Sequence, residues 1–537
     1  MNKFFEKTQK NALISVYHKE GIGEFAKALC ALGWTIYSSG GTAKFLHEAS
    51  IPVIDVSTMV GEPILGHRVV TISRELHAGL LADRLKPEDL AELESLGLPF
   101  FGLVCVDFYP LIEEIRKPGV TLNAVIEKTD IGGPLMVRSG AKGNRLVICD
   151  PADRESVIEL LSSPVSTEDM AQIINQFAAK AEAVVANYVL QSATYRGNTT
   201  FAGIVGEKMA DVRYGENPWQ KGYGLFRNMN PSDDPLGVNN WQIIAGNPGY
   251  VNYTDVDRML HTLTHIVAGI AKNGGTQEHI ALGVKHGNCC GASIYHSRKH
   301  ALENMLDGNL RSIFGGCVMT NFIIDEHHAT ILREYKMPKK KRVLDLVVAP
   351  GFTDEAITIL ARKGDACKMI AIPELISWDA CKISQEKLLR PVRGGFLLQD
   401  NFSYVPQFPS RDRDMVLGWA INATSDSNTI TLVRDGMLIG NGVKQQDRVE
   451  CCELAIKRAI EAGHTLSKTS FVNGATAVSD SFFPYIDGPM KLIEAGVRSI
   501  LATSGSVNDN LVIKYCEENN CNLVLIPNTE GRGFFGH

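Results

Sequence analysis

Lys285, His286 and Asn288 are the neighbouring side chains with the clearest capacity for chemistry. They follow a short apolar run over residues 280–284, which is typical of a buried strand. Open α/β sheets bind their ligands where such strands end. A lysine supplies a fixed positive charge and a histidine titrates near neutral pH, so the pair can stabilise an oxyanion and move a proton. Taken alone, the pair is also compatible with a solvated strand end, because fold by itself assigns no function.

The segment Ser39-Gly40-Gly41-Thr42 offers a second candidate site, this one for an anion. Hydroxyl groups and glycine N–H groups at the start of a helix can approach a phosphate closely. Strands are predicted over residues 12–17, 35–37 and 52–56, and a helix over residues 22–32, an order that predicts a parallel sheet. The same four residues also make a good turn and helix N-cap, so an anion site is one of two interpretations.

The sequence pattern changes near residue 200. Before it, an apolar strand over residues 100–106 ends at Asp107, a helix opens after Asp130 and reaches Lys142, and one long helix is predicted over residues 169–192. After it, residues 211–220 lack any helical period and are typical of a loop that lines a site. Two domains are therefore predicted, over residues 1–200 and 201–537. Asp345 lies inside an apolar strand, where an unpaired charge is costly, so it must be paired or functional.

Composition and charge exclude several classes of protein. The 537 residues are 45% hydrophobic and carry a formal net charge of −6, which indicates a globular protein without a nucleic-acid-coating surface. The basic run at residues 339–342 is predicted to be a solvated loop. The 12 cysteines include no Cys-x-x-Cys pair, which favours reduced thiols and no zinc site. No signal peptide and no stretch of ~20 apolar residues is present, so a cytoplasmic location away from membranes is expected.

Several blocks resemble the family of bifunctional AICAR transformylase/IMP cyclohydrolases. Residues 284–291, Val-Lys-His-Gly-Asn-Cys-Cys-Gly, are similar to its Lys-His-x-Asn-Pro-Cys-Gly block, with Cys289 in the place of proline. Residues 212–220 are similar to its Leu-Arg-Tyr-Gly-x-Asn-Pro-His-Gln block, with Trp219 in the place of histidine. Residues 480–487 and the Ser427-Asn428 turn also match, and the blocks occur in the family's order over nearly the whole chain.

The resemblance implies a fold, an activity and partners. The fold is α/β, with an N-terminal methylglyoxal-synthase-like parallel-sheet domain and a cytidine-deaminase-like transformylase region of two related α/β layers. The activity is transfer of a formyl group from 10-formyl-tetrahydrofolate, the co-substrate, to the 5-amino group of AICAR in purine biosynthesis, with no metal. A homodimer with shared transformylase sites is implied, with a nucleotide and a folate as the small-molecule ligands.

The resemblance also implies roles for residues of the C-terminal region. His286 would accept or relay a proton, Lys285 would stabilise the tetrahedral intermediate, and Asn428 would hold the formyl oxygen. The roles of Lys285 and His286 can be exchanged, because a desolvated lysine beside a cation can lose its proton. The residues implied to bind the substrate are Arg213, Tyr214, Asn252, Gly315, Asp345, Arg448, Phe482 and Arg532. Those implied to face the folate are Val449, Asp487, Ser506 and Val507.

For the N-terminal domain, the resemblance implies ring closure of formyl-AICAR to IMP with loss of water. Val70 stands where the family has a lysine, and Tyr17 replaces a small hydroxyl residue where the phosphate would enter. Loss of one transition-state cation costs about 10²- to 10³-fold in rate. We therefore expect an impaired site, or one in which Arg74 takes over. The residues implied to act there are Lys19, Ser39, Gly40, Gly41, Thr42, Arg68, Thr71, Tyr109 and Asp130, with Lys142 catalytic.

The sequence leaves several alternatives open. The chain could be fully bifunctional, or its N-terminal domain could be a non-catalytic nucleotide-binding module on a working formyltransferase. A Rossmann-type oxidoreductase would need Gly-x-Gly-x-x-Gly in the first βα turn, and residues 17–23 do not have it. A zinc-dependent nucleotide deaminase would need a His-x-Glu with a Pro-Cys-x-x-Cys, a combination that the C-terminal region does not contain.

Overall fold

A computed structural model describes residues 4–66, 68–198, 200–212, 214–230, 233–408, 412–465 and 471–536. The chain divides into two units. Unit 1 is Met1–Glu207 with Asn228–Asn230, and unit 2 is Lys208–Arg227 with Pro231–His537. All 12 cysteines are free thiols. Among the described residues, no helix combines the length and the apolar character that crossing a membrane requires.

Unit 1 alternates strands and helices. Its strands are β1 (Asn11–Ser15), β2 (Thr35–Ser38), β3 (Ile54–Asp55), β4 (Leu103–Val106) and β5 (Leu146–Ile148). Its helices are α1 (Ile22–Ala31), α2 (Gly40–Glu48), α3 (Ser57–Val60), α4 (Arg74–Leu81), α5 (Pro87–Ser95), α6 (Leu111–Ile115), α7 (Leu122–Glu127), α8 (Gly132–Lys142), α9 (Asp153–Ser162) and α10 (Thr167–Arg196). Two further strands, β6 (Gly206–Ala210) and β7 (Leu225–Asn228), each cross a boundary between the units in the sequence and pair with each other as a short ribbon.

The sheet of unit 1 is parallel throughout, as the sequence predicts. Its strand order is β3-β2-β1-β4-β5, so the chain changes its direction of winding between β1 and β4. Helices that follow these two strands lie on opposite sides, which leaves a crevice at the carboxyl ends of the strands. The first functional site is expected at this edge.

Unit 2 is built on one 11-stranded sheet. The strands of unit 2 are β8 (Gln242–Ala245), β9 (His279–Lys285), β10 (Asn288–Tyr295), β11 (Gly316–Thr320), β12 (Leu344–Ala349), β13 (Lys368–Ala371), β14 (Leu388–Val392), β15 (Gly395–Gln399), β16 (Ile430–Arg434), β17 (Met437–Gly442), β18 (Thr476–Ser479), β19 (Ser499–Ser504) and β20 (Asn522–Pro527). Its helices are α11 (Tyr250–Lys272), α12 (Arg298–Gly308), α13 (Glu326–Glu334), α14 (Asp354–Leu360), α15 (Arg413–Ala423), α16 (Arg448–Thr465), α17 (Asp487–Glu494), α18 (Asp509–Glu518) and α19 (Asn528–Gly531). Strands β14 and β15 lie outside the large sheet and form a separate hairpin.

The large sheet contains the same arrangement twice. In each half a helix leads into a hairpin, β9–β10 or β16–β17, whose first strand pairs antiparallel with the next strand, β11 or β18. Two parallel strands follow, β12 and β13 or β19 and β20. The halves meet where β10 pairs with β17. This duplication matches the two related layers that the resemblance implies, although no repeat is visible in the sequence.

The helices that open the two halves, α11 and α15, pack closely against each other. A Cβ atom at Gly269 of α11 would lie 2.8 Å from Val416 and 3.1 Å from the ring of Trp419, both on α15. Only a glycine permits this approach, and the side chains around it belong to one hydrophobic core that spans both halves. The contact fixes the distance between the two halves and therefore between the loops that they carry.

Residues 254–257, Thr-Asp-Val-Asp, are typical of the start of a helix and predict that one begins there. Helix α11 begins earlier in the chain. Its first residue is Tyr250, because the side chain of Asn252 accepts a hydrogen bond of 2.9 Å from the backbone N–H of Gly249 and satisfies the first turn. Asn252 therefore lies inside the helix, one turn before Asp255.

The basic run at residues 339–342 is not wholly solvated, contrary to the prediction. The side chain of Arg342 is fully buried, and its guanidinium donates to the carbonyl oxygens of Leu332 and Tyr335 at 2.7 and 2.8 Å. These carbonyl groups lie at the end of α13 and have no partner within the helix. Burial lowers the pKa of Arg342 to about 10. Arg342 is therefore a buried helix cap.

Replacing Arg342 with leucine should lower the free energy of unfolding by about 2–4 kcal/mol, because two buried carbonyl groups lose their donor. Urea denaturation followed by tryptophan fluorescence measures the change. Lys340 is the matched control, since it belongs to the same run and is exposed. Lys340→Leu should change the stability by less than about 0.5 kcal/mol, and equal losses in the two variants would contradict the capping role.

Candidate functional site

The carboxyl ends of β1 and β4 open into a cavity of about 1030 Å³ in unit 1. All the residues that the resemblance assigns to nucleotide binding in this unit lie in its lining, and so do Tyr17, Val70 and Asp107. The assigned residues are Lys19, Ser39, Gly40, Gly41, Thr42, Arg68, Thr71, Tyr109 and Asp130.

One part of the cavity leaves room for an anion beside Gly40 and Gly41. A Cβ atom at either glycine would meet no atom within 4 Å. The hydroxyl of Ser39 makes no cap on α2, and instead lies 3.1 Å from the hydroxyl of Ser15. The ammonium of Lys19 donates to Thr42 Oγ1 at 3.1 Å. Because the Ser39 hydroxyl is not used as an N-cap, the geometry favours the anion site over an ordinary helix start.

Two carboxyl groups and a tyrosine lie elsewhere in the cavity lining. Burial raises the pKa of both Asp107 and Asp130 above the ordinary value. Burial, followed by the negative charge of Asp130, also raises the pKa of Tyr109. The rings of Tyr17 and Tyr109 meet edge to face with 5.5 Å between centroids, so Tyr17 narrows the space beside Tyr109. Groups with raised pKa values in a cavity are candidates for proton transfer.

Two cationic side chains that are expected to act in this cavity, Arg74 and Lys142, do not line it. Val70 lines the cavity and supplies no positive charge. Arg74 does not replace the missing lysine, because its exposed side chain pairs with Glu75 at 3.3 Å. Lys142 is the exposed last residue of α8, whereas the first turns of that helix line the cavity. Ten residues of helix span about 15 Å. Within one chain, the structure does not bring Lys142 to this cavity.

In unit 2, Lys285, His286 and Asn288 lie on a tight hairpin turn between β9 and β10. Lys285 pairs with Asn288 across the hairpin, and His286 and Gly287 have φ values of +53° and +74°. Two successive positive φ values are typical of a type I′ turn. The predicted strand is confirmed, but its neighbours are antiparallel, so the residues do not lie at the edge of a parallel sheet. We call residues 285–288 the central turn.

The side chains of the central turn point to different partners. The ammonium of Lys285 donates to the carbonyl oxygen of Phe314 at 2.9 Å, which leaves two N–H groups for a ligand. Gly315, a predicted substrate contact, is adjacent, since a Cβ atom there would lie 3.9 Å from Lys285 Nζ. His286 is exposed at the tip of the turn. The turn thus carries a cation with free N–H groups and an exposed imidazole.

Asn428 lies in the loop before β16, and its amide group is held in one orientation. Arg448 donates to its Oδ1 at 2.9 Å, and its Nδ2 donates to the carbonyl oxygen of Gln446 at 3.3 Å. Arg448 also donates to Ser479 at 2.8 Å and pairs with the buried carboxylate of Asp480. One N–H of Asn428 is left to donate to a ligand oxygen. The predicted substrate contact Arg448 is already engaged by these partners.

Asp345 is paired, as the sequence requires. Its carboxylate accepts a hydrogen bond of 2.6 Å from Asn252 and one of 2.9 Å from Lys368. The prediction that it is buried is wrong, because 40% of its side chain is exposed. Asn252 and Asp345, both predicted substrate contacts, are therefore brought together at the start of α11.

Phe482 lies beside the loop that contains Ser506 and Val507. A Cβ atom at Gly505 would lie 4.0 Å from the ring of Phe482. Val507 is 98% exposed. The predicted substrate contact Phe482 and two predicted folate contacts thus lie close together.

The other two predicted folate contacts lie at the starts of neighbouring helices. Val449 is the second residue of α16, and Asp487 is the exposed first residue of α17. These helices approach closely, since a Cβ atom at Gly488 would lie 3.7 Å from the sulfur of Cys452. Val449 directly follows Arg448. Because Arg448 donates a hydrogen bond to Asn428, this surface is linked to Asn428.

The remaining predicted substrate contacts are Arg213, Tyr214 and Arg532. Arg213 lies outside the described residues. Tyr214 forms an isolated bridge with Lys221 and is 39% exposed. Arg532 is exposed, and its guanidinium lies 5.4 Å from the centre of the Phe534 ring.

Asp255 holds the central turn and was not predicted to belong to the site. Its carboxylate is buried, accepts a hydrogen bond of 2.9 Å from the backbone N–H of Gly287, and accepts one of 3.2 Å from the thiol of Cys317. Burial raises the pKa of Asp255 above its ordinary value. An aspartate on the apolar face of an amphipathic helix is the signal that could have identified it.

Comparisons with known proteins identify the family of the chain. Residues 142–458 match the family described as AICARFT/IMPCHase bienzyme, and residues 21–135 match the MGS-like domain. The bifunctional purine biosynthesis protein PurH of Staphylococcus aureus (strain Newman) is 32% identical over 537 residues, covering 96% of this chain and 98% of that protein. The same-named protein of Staphylococcus carnosus (strain TM300) is 31% identical, with the same coverage.

A solved structure described as the crystal structure of ForH is 29% identical to this chain, with a TM-score of 0.31. It covers 36% of this chain and 99% of its own. The resemblance and the methylglyoxal-synthase-like fold of the N-terminal domain are confirmed by the family matches and the PurH proteins. The chain therefore belongs to the family of AICARFT/IMPCHase bienzymes, the bifunctional purine biosynthesis proteins PurH.

Proposed function

We propose that the central turn and Asn428 catalyse transfer of the formyl group of 10-formyl-tetrahydrofolate to the 5-amino group of AICAR. The observation that carries this proposal is the hydrogen-bonded contact between the central turn and the loop of Asn428, made by Asn288 and Asp426, in a chain of this family. Attack by the amine forms a C–N bond, and loss of the folate nitrogen breaks one. One proton moves overall from the amine to the leaving nitrogen.

Each group meets one requirement of this reaction. The amine of AICAR is a weak nucleophile, because its lone pair is delocalised into the ring, so attack requires a base in place. His286, exposed at the tip of the central turn, is that base. The formyl oxygen gains negative charge in the tetrahedral intermediate, and the free N–H groups of Lys285 and Asn428 are oriented donors for it. Because these donors are held by Phe314 and Arg448, little reorganisation is needed during the reaction.

The substrates would occupy two surfaces on either side of the central turn. Asn252, Gly315 and Asp345 would bind AICAR, together with Tyr214, Arg448, Phe482 and Arg532 and with Arg213. Val449, Asp487, Ser506 and Val507 would contact the folate. The closeness of the loop that carries Ser506 and Val507 to Phe482 supports this assignment, because the folate and the nucleotide must meet for the transfer.

For unit 1 we propose nucleotide binding with slow ring closure. The nucleotide phosphate would lie beside Gly40, Gly41 and Lys19, and Tyr109 and Asp130 would lie near the reacting groups. Neither Val70 nor Arg74 supplies a cation to the cavity. The retained pair Tyr109 and Asp130 favours a second candidate, full bifunctionality, in which ring closure proceeds without that cation.

Replacing Lys285 with methionine should lower kcat for formyl transfer by about 10²- to 10³-fold, because the charge on the formyl oxygen loses a donor. The measurement is the rate of formyl-AICAR formation by the purified full chain, with products separated by mass. Lys272 at the exposed end of α11 provides the control. Retention of wild-type kcat by Lys285→Met would exclude the proposed role.

Replacing Val70 with lysine should raise the rate of IMP formation from formyl-AICAR at least about tenfold, because a cation returns to the cavity. The unaltered chain, supplied with AICAR and 10-formyl-tetrahydrofolate, should accumulate formyl-AICAR. Val69→Lys is the matched control, since Val69 is the neighbour outside the cavity lining. Rapid IMP formation by the unaltered chain would instead support full bifunctionality.

We also propose a cytoplasmic homodimer that shares these sites. The hairpin β14–β15 supports it, because a two-stranded hairpin is marginal alone and this one exposes apolar side chains. They include Leu389, Phe396 and Leu398, each about 40% exposed.

Light scattering should give a mass of twice 58.7 kDa for the unaltered chain. Leu398→Glu, which places a charge opposite Leu389 on the hairpin, should shift this mass toward that of the monomer. Leu85→Glu, at an exposed leucine of unit 1, should leave it unchanged. A monomeric wild-type chain would contradict the dimer.

A further inference from the structure

We infer that Asp426 is a positioning residue for formyl transfer, because it ties the central turn to the loop that carries Asn428. The inference rests on the proposed function. Lys285 and His286 come from the first half of the sheet, and Asn428 comes from the second. A donor pair assembled from two halves needs a connection near its tips, since misplacement by about 1 Å can cost on the order of 10²-fold in rate.

Asp426 makes this connection through both its backbone and its side chain. Its backbone N–H donates to Asn288 Oδ1 at 3.1 Å, and its Oδ2 accepts from Asn288 Nδ2 at 3.2 Å. Asn288 is the last residue of the central turn, and its Nδ2 also donates to the carbonyl oxygen of His286 at 3.2 Å. Asp426 precedes Asn428 by two residues. The side chains of Asn288 and Asp426 therefore connect the turn that carries His286 to the loop that carries Asn428.

Arg258 of α11 fixes the orientation of this carboxylate. Its Nη2 donates to Asp426 Oδ1 at 2.8 Å, and its Nη1 donates to the carbonyl oxygen of Thr424 at 3.0 Å. Only 15% of the Arg258 side chain and 11% of the Asp426 side chain are exposed. The ring of Phe535 covers the guanidinium at 3.4 Å, and Lys444 approaches the carboxylate at 3.7 Å. The carboxylate thus has a defined partner for each oxygen.

The ionised state of Asp426 follows from these contacts. Burial alone would raise its pKa, but the hydrogen bonds from Arg258 and Asn288 and the charges of Arg258 and Lys444 together outweigh burial, so the pKa lies below its ordinary value. The carboxylate accepts and does not donate at neutral pH. This polarity matters, because Asn288 presents an N–H group to it.

The C-terminal segment fixes the same loop from its other side. The backbone N–H of Phe535 donates to the carbonyl oxygen of Ser425 at 2.9 Å, and that of Ser427 donates to Gly536 at 3.0 Å. Residues 425–427 are therefore held by backbone contacts on one side and by Asp426 on the other. Loss of the Asp426 side chain would leave the loop folded but free to shift relative to the central turn.

The test compares an Asp426→Asn variant with an exchange of the two side chains. In Asp426→Asn, amide donors face each other at Asn288, so kcat for formyl-AICAR formation should fall about 10- to 100-fold, with KM for both substrates changed less than about threefold. Asp426→Asn combined with Asn288→Asp restores a donor opposite an acceptor between these two residues, and loses only the hydrogen bond from Asn288 to the carbonyl oxygen of His286. The kcat of the double variant should be at least about tenfold higher than that of Asp426→Asn alone.

Glu278→Gln is the matched control. Glu278 pairs with Arg413 at 2.7 Å, and 12% of its side chain is exposed, close to the value for Asp426. It precedes β9 at the end opposite the central turn, about 20 Å along the strand. This variant should keep the wild-type kcat, whatever its effect on the midpoint of thermal unfolding.

The outcomes distinguish the positioning role of Asp426 from formyl transfer by the chain. Wild-type kcat in Asp426→Asn, or a kcat that the exchange does not recover, would overturn the positioning role while formyl transfer by the unaltered chain stands. An unaltered chain that forms no formyl-AICAR would overturn the proposed function and this inference with it. A loss of kcat in Asp426→Asn that the exchange repairs supports the inference, since a residue needed only for stability would not produce it.

Discussion

The hydrogen bond from Gly287 to the buried carboxylate of Asp255 is the constraint on which the candidate transformylase site depends. A type I′ turn with His286 at positive φ costs about 1–3 kcal/mol, and it persists only when its surroundings hold it. Asp255 is one turn from Asn252, which binds Asp345. A single helix, α11, therefore sets the turn that carries Lys285 and His286 and the group beside which the nucleotide is proposed to lie.

The duplication of unit 2 explains why a site can form at its centre. Each half brings one hairpin to the junction of β10 and β17, and the close approach of α11 and α15 at Gly269 keeps the hairpins at a fixed distance. Loops from both halves then face the same space. Charged and polar links between the halves, such as Arg258 to Asp426, determine which side chains are oriented there. The apolar core brings the two halves close together, and the buried polar contacts orient the side chains between them.

In the function proposed for unit 1, one side chain separates binding from reaction. The cavity has open space beside two glycines and a tyrosine with a raised pKa, and both depend on the geometry of strand ends and helix starts. The cation that a transition state would use depends on a single side chain, and position 70 carries valine. Binding groups are distributed over many residues, so they survive such a change. The cation that stabilises a transition state comes from one side chain, so a single substitution removes it.

The sequence by itself determined the α/β class, the parallel sheet of unit 1, the strand before Lys285 and the family, because these follow from local hydrophobic periods and from blocks of neighbouring residues. It also required a partner for Asp345. The tertiary structure decided the rest: the hairpin at His286, the exposed position of Lys142, the burial of Arg342 and the roles of Asp255 and Asp426 as anchors. The buried contacts among these depend on partners between seven and 168 residues away, as with Tyr335 for Arg342 and Arg258 for Asp426. No local pattern records such a pair, because the free energy of a buried charge depends on the groups that folding brings around it.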